Sequence, residues 1–102
     1  MRTYNFGSLS EDYDANILTA IRPDMLAAIE RYVQYGIAGD FLSAVIDNNL
    51  REALGRADSD NRRALREIVQ VFYNYCPGDC WGSRENRQQW QARGGLSGKE
   101  KI

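Results

Sequence analysis

The chain has 102 residues, of which 43% are hydrophobic and 26% charged, with a net charge of −1. That length suits one domain with an ordinary buried core, and the charge balance argues against a protein that coats nucleic acid by field alone. No apolar run approaches the roughly 20 residues needed to span a bilayer, and the first residues lack a signal peptide's apolar core, so a cytoplasmic location is the default expectation.

Residues 1–20 carry mixed signals. Tyr4 and Phe6 alternate with polar neighbours as in a short strand, whereas Ser8 and Glu11 have capping-box spacing, with Leu9, Tyr13 and Ile17 recurring at helical spacing. Glu11, Asp12 and Asp14 form an acidic knot. An irregular N-terminal segment is expected, either draped over the core as a solvated run or offering Asp12 and Asp14 to a basic partner.

The first firm helix spans about Pro23 to Tyr35, with Pro in its first turn and Asp24 at the positive end of its dipole. Leu26, Ile29, Tyr32 and Val33 make its buried stripe. Gly36 is a left-handed terminator, and Ile37 is expected to pack back on the last turn. Asp40 is expected to cap the next helix, whose core face is Phe41, Leu42, Val45 and Ile46. Asp47-Asn48-Asn49 then competes with the helix, and Asn49 with Glu52 caps a shorter one from Leu50 to about Arg56, with Leu50, Ala53 and Leu54 as its apolar residues, the competing reading being a single bent helix from 40 to 56.

Asp58-Ser59-Asp60-Asn61 supplies caps for a central helix over 60–75. Stepped at about 100° per residue, Arg63, Arg66, Glu67, Gln70 and Asn74 fall in one narrow sector. Apolar and aromatic residues cover the rest, so this helix should be enclosed from several sides by its neighbours. Cys76-Pro77-Gly78 ends it. Ser83 caps a last helix to about Arg93 with Trp90 as its anchor, and Gly94-Gly95 stops it. The expected fold is all-α: one domain over 1–95, a small orthogonal bundle of four to five short helices around 60–75, with 96–102 as a frayed tail.

No catalytic or metal motif emerges. The chain has no His, which removes the commonest general base and the commonest metal ligand. Cys76 and Cys80 offer too few ligands for zinc and the wrong spacing for the usual redox pair, and read as two reduced, half-buried thiols beside Trp81. Gly95 to Lys99 looks like the end of a P-loop but follows no strand and has Glu100 at the Ser/Thr position. Asp58 and Asp60 suit caps, with nothing apolar beside them to raise a carboxyl pKa. Neither a cofactor nor enzymatic activity is therefore expected.

The basic side chains are eleven Arg against two Lys. Arg carries a planar fork that pairs with carboxylates and phosphates and stacks on aromatic rings. Arg62, Arg66, Val69 and Tyr73 line up along one flank of the central helix, with Arg51 and Arg56 just before it. Such an Arg-and-aromatic stripe serves protein interfaces and phosphate-bearing small ligands alike. The competing reading is internal pairing, Arg63 with Glu67 being an i, i+4 pair and the acidic knot neutralising the others.

The run Tyr32-Val33, Gly36-Ile37, Gly39-Asp40-Phe41-Leu42, Ala44-Val45, Asn48-Asn49-Leu50, Ala53, Arg56-Ala57-Asp58 and Asn61, followed by Tyr73-Asn74, Pro77, Cys80-Trp81-Gly82-Ser83 and Trp90, resembles a group of small uncharacterised proteins of bacteriophages and prophages. The resemblance covers about residues 25–92; Arg84 stands where Pro is expected after the capping Ser, and the first twenty residues have no counterpart. It implies a protein without catalysis that occupies a surface of a host or phage protein, defence systems included. Arg62, Arg66 and Tyr73, with Asp12 and Asp14, are the first candidate contacts, and Arg51 and Arg56 the second. The alternative is an oligomeric sponge holding a nucleotide signal, its phosphates on Arg51, Arg62 or Arg66 and its base on Tyr or Trp.

Overall fold

The computed structural model describes residues 19–100, with side chains described for 19–98. Those residues form helices joined by short turns and contain no strand: α1 Pro23–Tyr35, α2 Asp40–Ile46, α3 Leu50–Arg56, α4 Ser59–Arg63, α5 Leu65–Tyr75, α6 Arg84–Arg93 and α7 Gly95–Glu100. A 3-10 turn, Gly78–Cys80, links α5 to α6. The expectations for residues 1–18, including Asp12 and Asp14, lie outside the described residues.

Local capping sets several boundaries. Asn49 accepts from the Glu52 amide at 3.2 Å, Asp58 from that of Asn61 at 2.8 Å, and Ser83 from that of Asn86 at 3.1 Å. Each side chain satisfies an amide that the first helical turn leaves without a partner. Gly36 and Gly94 close α1 and α6 in the left-handed conformation, at φ +80° and +78°. Gly39, in extended conformation, takes the cap position before α2, and Asp40 is the first helical residue instead of the cap. There its carboxylate faces the dipole and meets Arg56 at 3.3 Å. Ile37 does not fold back on α1 but is exposed beside the α1–α2 cleft.

The core is a single cluster in which Ile29, Tyr32 and Val33 of α1 join Ile46, Ile68, Phe72 and Trp90. Fully burying a side chain of this size stabilises by about 2–3 kcal/mol before ordering entropy is set against it. Tyr32 is the hub. Its hydroxyl donates to the Cys80 carbonyl at 2.6 Å, and its own carbonyl accepts the Trp90 indole N–H at 3.1 Å. Burial pushes the Tyr32 phenol well above the ordinary tyrosine range. The Gly82 amide donates to the Ile46 carbonyl at 2.8 Å, tying the Trp81–Ser83 corner to the end of α2.

Two ion-pair clusters lock the frame. Arg22, just before α1, reaches Asp24 and Asp58 at 3.1 Å and Asp60 at 3.3 Å, pinning the chain ahead of α1 to the start of α4. The Asn61 amide, with Arg22 adding to it, holds the Asp58 carboxyl below its ordinary value. Arg87 of α6 grips Asp47 in a two-pronged pair at 2.5 and 3.0 Å, both side chains being mostly buried. That carboxylate raises the Arg87 pKa.

Four expectations about the centre of the chain need correction. Helix 60–75 is interrupted at Ala64, where φ −96° and ψ 7° separate α4 from α5. The buried stripe is Ala64, Glu67, Ile68, Val71 and Phe72, so α5 is covered on one broad face and not from nearly every side. Glu67, placed by its polarity in the outer sector, sits at the edge of that stripe and pairs with Arg66 at 2.8 Å rather than with Arg63. On α3 only Ala53 is buried, while Leu50 and Leu54 stay exposed, because a seven-residue helix presents one small face to the core.

Beyond Gly94 the chain does not simply fray: Gly95 also takes a left-handed φ of +68° and starts α7, which packs on α1. A Cβ at Gly95 would lie 2.7 Å from the Gln34 carbonyl group, so the approach of the two backbones depends on glycine. Leu96 adds partly buried apolar surface to the core.

Candidate functional site

The α4–α5 elbow sets out a flank of four side chains. Arg62 in α4 and Arg66, Val69 and Tyr73 in α5 all reach solvent, with Tyr73 77% and Val69 38% exposed. Arg66, Val69 and Tyr73, spaced every three or four residues, share a side of α5, and Arg62 precedes them on α4 across the break at Ala64. The opposite side of α5, with Ile68, Val71 and Phe72, anchors in the core and fixes the direction of the flank.

Tyr73 is exposed but braced. Its ring meets Trp81 edge-on, with centroids 6.4 Å apart and planes at 88°. Trp81 in turn leans on Phe72 at 5.9 Å, and Asn86 donates to its carbonyl at 2.9 Å. An exposed aromatic with a supported edge loses little side-chain entropy when a partner covers it. The bracing role of Trp81 was not among the candidate contacts read from sequence; the aromatic cluster around Phe72 depends on the turn at Pro77, which no spacing rule reveals.

The arginines divide into two groups. Arg66 spends one nitrogen on Glu67, yet its side chain is 84% exposed and most of its donors face water. Among the described residues Arg62 and Arg51 hold no carboxylate. Arg56, by contrast, is engaged by Glu52 at 3.2 Å and by Asp40 at 3.3 Å, and is a weaker candidate than its sequence position suggests. Asp40 lies 16 residues away from it, beyond the reach of any local pattern.

Beside the flank lies a shallow apolar notch of about 40 Å³, lined by Leu50, Ala53, Leu65 and Val69 together with the end of α2. Leu50, at 64% exposure, forms its outer lip. A second cleft of about 310 Å³ opens between α1 and α2, lined by Met25, Ala28, Arg31, Ile37 and Phe41. Neither of these two hollows sets an arginine cluster over an aromatic floor, as a nucleotide cradle within one chain would. Neither Cys76 nor Cys80 is in a disulfide, Cys80 is fully buried, and among the described residues no group of three or more His, Cys, Asp or Glu converges to hold a metal. No described helix is long and apolar enough to cross a membrane.

The chain matches no protein-family profile, and neither a curated protein nor a solved structure is detectably similar to it.

Proposed function

We propose that this chain is a non-catalytic accessory protein of a phage or prophage that binds a host macromolecule, such as a defence-system component, and inhibits or redirects it. The observation that carries this reading is the flank itself. Two arginines that keep unpaired donors among the described residues, an exposed valine and a braced, outward-facing tyrosine stand together on a scaffold that buries Tyr32, Phe72 and Trp90. Arg and Tyr are among the residue types that concentrate binding energy at interfaces, and a preset geometry lowers the ordering cost of docking. The phage setting is part of the proposal and rests on the likeness of residues 25–92 read from the sequence alone.

The partner surface that fits is acidic with an apolar recess: carboxylates for Arg62 and Arg66, and a pocket for the Tyr73 ring. Asp12 and Asp14 would add contacts to basic groups at its margin, and Arg51 extends the cationic surface beyond the notch. The test is affinity capture from a bacterial host lysate with the full chain as bait. Arg62→Glu/Arg66→Glu and Tyr73→Ala should each lose the captured species while keeping the wild-type circular-dichroism spectrum. Folded variants that capture the same proteins as wild type would eliminate the flank as the binding surface.

A further inference from the structure

The cleft between α1 and α2 is the larger of the two hollows, and its volume of about 310 Å³ reaches the range of small-ligand pockets, roughly 300–1,000 Å³. Met25, Ala28 and Arg31 recur every three residues along its α1 side, and Phe41 and Leu42 line its α2 side. Met25 and Phe41 also pack on the core, so both walls are anchored. Ile37, from the connection between the helices, lines the cleft while 58% exposed.

Only two side chains in this lining carry charge, and they differ in what they hold. The Asp40 carboxylate meets the Arg56 guanidinium at 3.3 Å, so its charge is offset from the α3 side. Arg31 is exposed and pairs with no carboxylate among the described residues. The rest of the lining is Met, Ala, Ile, Gly, Phe and Leu, whose side chains offer no hydrogen bond. An occupant that fits has one anionic end and a body without polar groups. One unpaired guanidinium matches one negative charge; a polyphosphate would bring charges that nothing in the lining meets.

We infer that this cleft binds an aliphatic monocarboxylate of medium chain length, its carboxylate on Arg31 and its chain along Met25, Ala28 and Phe41. The cleft has the volume of roughly ten waters, enough for a chain of about eight to ten carbon atoms. Met25 supplies a flexible wall that adapts to an alkyl chain. The lining shares no residue with the Arg62–Tyr73 flank, so this binding stands or falls apart from the proposed function.

The measurement is a nuclear magnetic resonance titration of the methyl-labelled full chain with hexanoate, octanoate and decanoate, each kept below its micelle concentration. Saturable shifts are expected at the Met25, Ala28 and Ile37 methyl groups, with affinity rising along the series as more methylenes are covered. Arg31→Ala should weaken octanoate binding by about three- to fivefold, the range for an ion pair at an exposed site. Octanol and octyltrimethylammonium should both bind more weakly than octanoate. Arg31 is exposed, and circular dichroism checks that its variant keeps the helices. Absence of saturable shifts at these three methyl groups overturns the proposal. So does equal affinity for octanol and octanoate, or unchanged octanoate affinity in Arg31→Ala. Larger shifts at Leu50, Leu65 and Val69 overturn it as well, by placing the chain in the other hollow.

Discussion

Trp90 donates its indole N–H to the main-chain carbonyl of Tyr32, a bond that joins residues 58 apart and is sealed from water. The same carbonyl accepts the Gly36 amide at 2.7 Å, so one oxygen both closes α1 and anchors α6. Trp90→Phe keeps most of the packing and leaves that oxygen with the Gly36 amide, and should cost about 1–2 kcal/mol. Trp90→Ala opens a cavity and should cost roughly 3–5 kcal/mol. Urea unfolding followed by circular dichroism measures both, and equal costs would mean that shape contributes little here.

Tyr32 makes stability depend on alkaline pH. Its pKa is raised in the folded chain by burial, so the neutral phenol is favoured there. The unfolded chain ionises near pH 10, and the folded one only at higher pH. The contribution of this group is therefore complete below about pH 10 and is lost as pH rises through the folded value. Tyr32→Phe should lower stability at neutral pH by roughly 1–3 kcal/mol, because the Cys80 carbonyl loses its donor, yet flatten the fall above pH 10. Unfolding curves across the alkaline range check the change in slope.

The Arg87–Asp47 pair fastens α6 to the α2–α3 turn. Asp47→Ala leaves a mostly buried guanidinium with, among the described residues, only Gln91 as a side-chain acceptor, at 3.1 Å. A loss of roughly 2–3 kcal/mol is expected, larger than for an exposed pair. Adding Arg87→Met should recover part of it, since the stranded charge is then gone. A double-mutant cycle on the urea midpoint separates the pair from the burial of its parts.

Gly95→Ala should detach α7 while leaving the rest folded. The substitution meets both a φ of +68° and a Cβ position 2.7 Å from the Gln34 backbone. The left-handed conformation alone costs about 1–2 kcal/mol for a residue with a Cβ. Hydrogen exchange should show faster amides at positions 96–100 and unchanged protection at Ile29 and Phe72. Unchanged exchange in α7 would mean that its docking tolerates a side chain.

The features legible in the sequence are those decided within one helical turn. Pro23, Gly36, Asn49 with Glu52, Ser83 and Gly94 mark their boundaries because a cap depends only on the next few residues. The exposure of Arg62, Arg66, Val69 and Tyr73 was legible from their spacing, although the break at Ala64 that divides them between α4 and α5 was not. What was not legible depends on distant partners. Leu50 and Leu54 look like core by type, but whether α3 turns them inward is decided by α2 and α5. The engagement of Arg56 by Asp40, the buttress that Trp81 gives Tyr73 and the seating of α7 on Gln34 are likewise tertiary. Ala64 is a good helix former, and its break reflects the joining of two short helices over the core rather than any local signal.

The placement of the two tryptophans makes the protein its own optical probe. Trp90 is sealed, with the Arg93 guanidinium 4.2 Å above its ring, and should emit as a constant background. Trp81 touches the ring of Tyr73, the outermost aromatic of the flank, so whatever lands there alters its surroundings first. A titration read in emission wavelength needs no dye and no tag, and Trp81→Phe removes the signal without disturbing the background.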